Sequence, residues 1–136
     1  MKVVSAELVA VLDENGIVVA RQAAGRAAKR MGMGIVDQTK IVTVTSELAR
    51  NIVRYGKSGE VLIEEISDTL RSGLRISFKD KGPGIADVEK AMQDGFTTGG
   101  GMGFGLSGSK RLVNDFEIIS ELGVGTTIVV KKWKNA

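Results

Sequence analysis

The sequence predicts an α/β fold, a two-layer sandwich whose helices cover one face of a mixed, mostly antiparallel sheet. Two segments with helical periodicity lie in the first half of the chain, and two pairs of β-like runs, each joined by a polar turn, follow them. Runs joined by short turns pair antiparallel, and a helix with one apolar face buries that face against a sheet. The chain has 136 residues, enough for one domain with its own core, which we predict over residues 1–136.

The first half of the chain contains one strand and two helices in the predicted order. Residues 3–12 are rich in β-branched and aliphatic side chains, which favours a strand. An alanine-rich helix is predicted over residues 17–31 and ends at the glycines that follow it. Asp37 is expected to cap a second helix, in which apolar residues recur at three- and four-residue spacing as far as Tyr55.

The second half contains two predicted hairpins. β-like runs begin at Val61 and at Leu74, and a polar segment joins them. A turn, a short helix, a glycine-rich stretch and a helical pattern over residues 106–113 come next. The last two runs flank a Gly-Val-Gly-Thr turn at residues 123–126, which predicts the second hairpin.

Composition excludes several classes of chemistry. The formal net charge is only +3 and the basic residues are scattered, so nothing indicates nucleic-acid binding. The chain has no Cys and its beginning lacks a signal-peptide pattern, from which we expect a cytoplasmic protein without a membrane segment. It also has no His, so a general acid or base must be Asp, Glu, Lys or Tyr.

Two polar features stand out against the apolar pattern. Glu47 and Asn51 lie four residues apart on the second predicted helix, so their side chains project from the same side. An exposed pair on an ordinary helix surface is the alternative. Asp80 ends an apolar strand and is followed by Lys81-Gly82-Pro83-Gly84, where a flat ligand could approach the backbone, although turn chemistry alone also explains the glycines.

Two glycine-rich motifs complete the set. Residues 97–106, TTGGGMGFGL, lie late in the chain and fit neither the dinucleotide fingerprint nor a Walker loop. Free N–H groups of such a loop and of the helix after it can still bind phosphate, and Lys110 could add charge, although solvation is an equally ordinary role for it. Gly123-Val124-Gly125-Thr126-Thr127 is by itself a hairpin turn.

The order of these motifs resembles the GHKL superfamily of ATP-binding folds, which includes gyrase, Hsp90, sensor histidine kinases and the serine kinases that govern alternative sigma factors. The motifs ELARN, DKGPG, GMGFGL and GVGTT resemble the N, G1, G2 and G3 boxes of that family. The short chain is similar to the anti-sigma-type serine kinases. Within them, VDQTKI, SELARNI, QDGF, TTGG and GSKRLVNDF resemble the switch kinases of the bacterial stressosome.

The resemblance implies the Bergerat (GHKL) fold and ATP and Mg²⁺ as cofactors, with roles for individual residues. Glu47 would be the catalytic base and Asn51 the Mg²⁺ ligand. Asp80 would accept a hydrogen bond from the adenine amino group, with Gly82, Gly84 and Thr126 around it. The remaining candidates, expected at the phosphates, are Gly101, Met102, Gly103, Phe104, Gly105, Leu106 and Lys110.

The resemblance also implies a function and partners. It indicates a protein serine/threonine kinase that phosphorylates STAS-domain antagonist and scaffold proteins and, once released, activates a PP2C-type phosphatase by binding it. Two alternatives stay open. The chain could be a nucleotide-dependent binding protein or anti-sigma factor with little kinase activity, or a plain ATPase of the gyrase or Hsp90 kind.

Overall fold

The computed structural model describes residues 1–93 and 106–134. This part of the chain contains five strands and four helices. The strands are β1 (Lys2–Val11), β2 (Gly59–Ser67), β3 (Ser72–Asp80), β4 (Asp115–Glu121) and β5 (Gly125–Trp133). The helices are α1 (Glu14–Arg30), α2 (Ile35–Tyr55), α3 (Val88–Ala91) and α4 (Leu106–Arg111).

The strands form one sheet in the order β1-β2-β3-β5-β4. Every strand pair in the described part of the chain is antiparallel. The predicted two-layer sandwich is therefore confirmed, as are both hairpins. No helix among the described residues combines the length and the apolar character needed to cross a membrane.

The core lies between the two long helices and one face of the sheet. Helix α1 contributes small side chains, so it can approach α2 and the strands beneath it closely, whereas α2 contributes large ones. The buried residues of α2 recur with the predicted spacing. They include Ile41, Val44, Leu48 and Ile52, each at most 2% exposed.

The two helices begin in different ways. Asp13 caps α1, because its Oδ1 accepts a hydrogen bond from the Gly16 amide at 3.2 Å. The expectation that Asp37 caps α2 is wrong, since α2 begins at Ile35 and no side chain caps it. Asp37 is instead buried against the sheet, where its Oδ1 lies 3.5 Å from Nζ of Lys132 in β5. A carboxylate in the first turn of a helix interacts favourably with the helix dipole, and the same carboxylate can also contact a buried cation.

Candidate functional site

A cavity of about 290 Å³ opens between the C-terminal half of α2, the end of β3 and the start of β5. Its walls are mostly apolar, with a few polar groups among them. The apolar side chains include Leu48, Ile52, Phe78 and Ile128, and the polar ones include Asn51, Asp80 and Thr126. A concave, largely apolar site with a few convergent polar groups is typical of small-molecule binding.

Asp80 is the carboxylate of this cavity. It is the last residue of β3, and its Oδ1 accepts hydrogen bonds from the Gly82 amide at 2.9 Å and the Thr126 amide at 3.2 Å. These two bonds fix the side chain on both sides. Among the described residues no donor contacts Oδ2, so this oxygen can accept a hydrogen bond from a ligand.

The glycines after Asp80 permit close backbone packing. A Cβ on Gly82 would lie 2.6 Å from Cα of Gly56 and 2.7 Å from the carbonyl oxygen of Tyr55, at the end of α2. Gly84 has a φ of +79°, and a Cβ there would lie 2.5 Å from the carbonyl oxygen of Glu121 in β4. The loop therefore needs both glycines to lie between α2 and the β4–β5 hairpin.

Gly84→Ala is expected to destabilise the fold more than Gly123→Ala. Both glycines have a φ of +79°, but a Cβ on Gly123 would meet nothing within 4 Å. The left-handed backbone costs each alanine variant about 1–2 kcal/mol, and the clash at Gly84 adds about 1–3 kcal/mol. Urea unfolding measures both free energies. Equal losses in the two variants would contradict the close packing of Gly84 against β4.

A hydrogen-bonded chain joins the β4–β5 hairpin to the same loop. Oγ of Ser120 accepts a hydrogen bond from the Ile85 amide at 2.6 Å and lies 2.9 Å from Oγ1 of Thr126. The Gly123 amide also donates to the carbonyl of Pro83 at 2.9 Å. Thr126 is thus held at the cavity wall from two sides. Sequence reasoning found Thr126 but missed Ser120. The only sequence signal for Ser120 is that it occupies one of the alternating inward-facing positions of β4.

Helix α2 contains the predicted catalytic base, Glu47, and the predicted Mg²⁺ ligand, Asn51. Asn51 lies on the cavity wall. Glu47, one turn earlier, lies outside the cavity lining with its side chain 45% exposed, and its Oε1 accepts a hydrogen bond from Nη1 of Arg50 at 3.1 Å. Glu47 thus contacts Arg50 beside the cavity, and its second oxygen can face a partner in solution.

The structure brings five predicted residues to one cavity, namely Asn51, Asp80, Gly84, Leu106 and Thr126. Gly82 packs behind Asp80, and Lys110 is exposed on α4. Gly101, Met102, Gly103, Phe104 and Gly105 lie outside the described residues.

Sequence reasoning missed two further polar residues of the lining, Arg54 and Tyr55. Arg54 follows Asn51 by three residues, a helical spacing that could have indicated it.

The oxygen atoms that the cavity offers fit a Mg²⁺ ion bound together with a nucleotide better than a metal ion held by protein ligands alone. In residues 1–93 and 106–134, no cluster of three carboxylates could hold a cation. Mg²⁺ prefers oxygen ligands and commonly combines one or two protein oxygens with phosphates and waters. The Asn51 amide oxygen, on the wall of a cavity large enough for a small molecule, can supply that one ligand.

Comparison with known proteins places this architecture in a family. Residues 36–135 match the family model described as histidine kinase-, DNA gyrase B- and HSP90-like ATPase. The chain belongs to this family, as the motif order predicts. The GHKL fold is therefore confirmed.

Individual relatives are similar along most of the chain. The serine/threonine-protein kinase RsbT of Bacillus subtilis is 48% identical over 92% of this chain and 94% of its own length. An anti-sigma F factor of Halalkalibacterium halodurans is 30% identical over 83% of this chain and 81% of its own.

A solved structure has the same fold. It contains the RsbU and RsbW domains of a Mycobacterium tuberculosis protein and superposes with a TM-score of 0.68 at 19% identity. The match covers 97% of this chain and 34% of that one, so this chain spans about a third of the solved protein. At this identity the likeness concerns the fold alone.

Proposed function

We propose that this chain is an ATP- and Mg²⁺-dependent protein serine/threonine kinase that acts as a switch in bacterial stress signalling. The observation that carries the proposal is its 48% identity to the serine/threonine-protein kinase RsbT over nearly the whole of both chains. The cavity supports it, because Asp80 and Asn51 both line it and Glu47 lies one helical turn before Asn51 on α2. We place the reaction in the cytoplasm, the compartment that supplies ATP.

ATP would bind with its base at Asp80, beside the C-terminal end of α2, and its phosphates toward Asn51. Oδ2 of Asp80 would accept a hydrogen bond from the adenine amino group, while the apolar side chains of Phe78 and Ile128 contact the ring. The Asn51 amide oxygen would hold Mg²⁺, which neutralises phosphate charge when bound. We propose the same phosphate-binding role for residues 101–106 and Lys110.

Glu47 would accept the proton of the attacking hydroxyl. The acceptor oxygen forms a bond to the γ-phosphorus, the bond from that phosphorus to the bridging oxygen breaks, and ADP leaves. Such a transfer depends mostly on positioning and charge neutralisation, so a site without His is sufficient. Arg50 would favour the ionised form of this carboxylate, since its Nη1 lies 3.1 Å from Oε1 of Glu47.

We propose STAS-domain antagonist and scaffold proteins as acceptors, and a PP2C-type phosphatase as the partner that the released kinase activates. The family relationship supports this choice, since the relatives include both a serine/threonine kinase and anti-sigma factors. The anti-sigma factors among the relatives also favour a second candidate function, a nucleotide-dependent binding protein with little phosphoryl-transfer activity.

Incubation of the purified protein with γ-³²P-labelled ATP and a panel of STAS-domain proteins tests the proposal. Labelling of a serine or threonine in at least one of them is expected. Tight binding of a STAS-domain protein without any labelling would overturn the kinase proposal in favour of the binding protein.

Asn51→Ala is expected to remove the Mg²⁺ dependence of ATP binding together with transfer. The amide oxygen is the proposed protein ligand, and alanine offers none. Calorimetric titration with ATP, with and without Mg²⁺, measures this directly, and Asn15→Ala on the exposed start of α1 is the matched control. A variant whose ATP affinity still rises with Mg²⁺ as in the unmodified protein would place the metal elsewhere.

A further inference from the structure

The N-terminal half of α2 presents a row of side chains that the nucleotide cavity does not use. Val36 is 63% exposed, Thr43 is exposed and Lys40 is partly exposed. These residues precede Glu47 by eleven, four and seven positions along α2. All three spacings are close to whole turns, so the three side chains lie on the same side of the helix as Glu47. We call Val36, Lys40 and Thr43 the acceptor face.

The acceptor face has an uncompensated positive charge beside an apolar group. Two other basic residues of the helical layer are paired, since Arg26 lies 3.7 Å from Glu7 and Arg30 lies 2.7 Å from Glu65. Within residues 1–93 and 106–134, no carboxylate lies within ion-pair distance of Lys40. An acidic side chain of a partner could pair with this cation, and an apolar side chain of the same partner could cover Val36.

We propose that the acceptor face binds the phosphoacceptor protein, with an acidic side chain of that protein against Lys40 and an apolar one against Val36. The inference rests on the proposed kinase function. Glu47 lies between this face and the cavity wall formed by Asn51 and Arg54. With ATP on the C-terminal side of Glu47, as proposed, an acceptor hydroxyl can reach Glu47 over the N-terminal half of α2.

The geometry of α2 sets the spacing of the features that the acceptor must carry. With a rise of 1.5 Å per residue, Lys40 lies about 10 Å and Val36 about 16 Å from Glu47 along the helix axis. The acceptor should therefore carry a carboxylate about 10 Å from its phosphorylated hydroxyl and an apolar side chain about 16 Å from it. Thr43, between Lys40 and Glu47, donates its hydroxyl to the Thr39 carbonyl at 2.8 Å and so offers mainly its methyl group.

Lys40→Glu is the decisive variant, with a STAS-domain protein that the unmodified kinase labels as the probe. We expect the KM for this protein to rise about tenfold, with kcat at saturating acceptor and the Kd for ATP unchanged, because only acceptor binding uses Lys40. Lys40→Ala should raise KM less. Lys2→Glu, the same charge change on edge strand β1, is the matched control and should leave KM unchanged.

Binding measured without turnover provides a second readout. Titration of the same STAS-domain protein into the kinase, loaded with a non-hydrolysable ATP analogue, should show weaker binding for Lys40→Glu and for Val36→Asp. Equal effects of Lys40→Glu and Lys2→Glu, or no effect of either acceptor-face variant, would overturn the inference. Failure of the unmodified protein to label any STAS-domain protein would instead contradict the proposed function.

Discussion

Asp80→Asn is expected to lower the affinity for ATP about 10- to 150-fold, the equivalent of about 1.5–3 kcal/mol for a hydrogen bond to a charged group. Asparagine can keep an acceptor oxygen at the Oδ1 position, where the Gly82 and Thr126 amides donate. The loop after β3 and the β4–β5 hairpin therefore stay in place. Its amide nitrogen then takes the position of Oδ2 and presents a donor to the adenine amino group, which is also a donor.

Titration calorimetry with ATP measures this loss, and urea unfolding measures whether the fold is kept. Asp115→Asn is the matched control, because Asp115 is an exposed carboxylate on β4 outside the cavity lining. GTP provides a second test, since its base has a carbonyl where adenine has the amino group, and the asparagine donor should reduce the preference for ATP. Unchanged ATP affinity in a folded Asp80→Asn variant would remove Asp80 from the base-binding site.

The fold could be predicted from the sequence because its signals are local. The apolar spacing along α2 and the two hairpin turns each depend on a few neighbouring residues, and the predicted strand ends lie within two residues of the observed ones. The first helix begins three residues before its predicted start, at Glu14. Asp13 caps it there, although its Asp-Glu-Asn-Gly context is equally typical of a turn.

The contacts that could not be predicted join residues far apart in the chain. Asp37 has the sequence pattern of a cap, and only the packing of α2 on β5 brings Lys132 to it. The bond between Ser120 and the Ile85 amide likewise depends on the hairpin meeting the loop after β3. Motif order indicated which residues form the candidate site, but not that Glu47 stands outside the cavity with Arg50 beside it.

That position of Glu47 leads to the prediction with the largest expected effect. Glu47→Gln should lower kcat for phosphoryl transfer about 100- to 10,000-fold, the usual contribution of a general base, while the Kd for ATP stays unchanged. Glutamine has nearly the same shape and its Oε1 can still accept the hydrogen bond from Arg50, so the geometry is kept. Only the ability to take up the proton is lost.

Single-turnover transfer from γ-³²P-labelled ATP to a STAS-domain protein measures the rate, and calorimetry measures ATP binding on the same preparation. Glu117→Gln is the matched control, since Glu117 is exposed on β4 and does not line the cavity. The comparison of the two measurements is the test, because Glu47 lies outside the cavity proposed for ATP and beside the proposed acceptor face. A Glu47→Gln rate within a few fold of the unmodified protein would assign the base to another residue, whereas a parallel loss of ATP affinity would make Glu47 a nucleotide-binding residue.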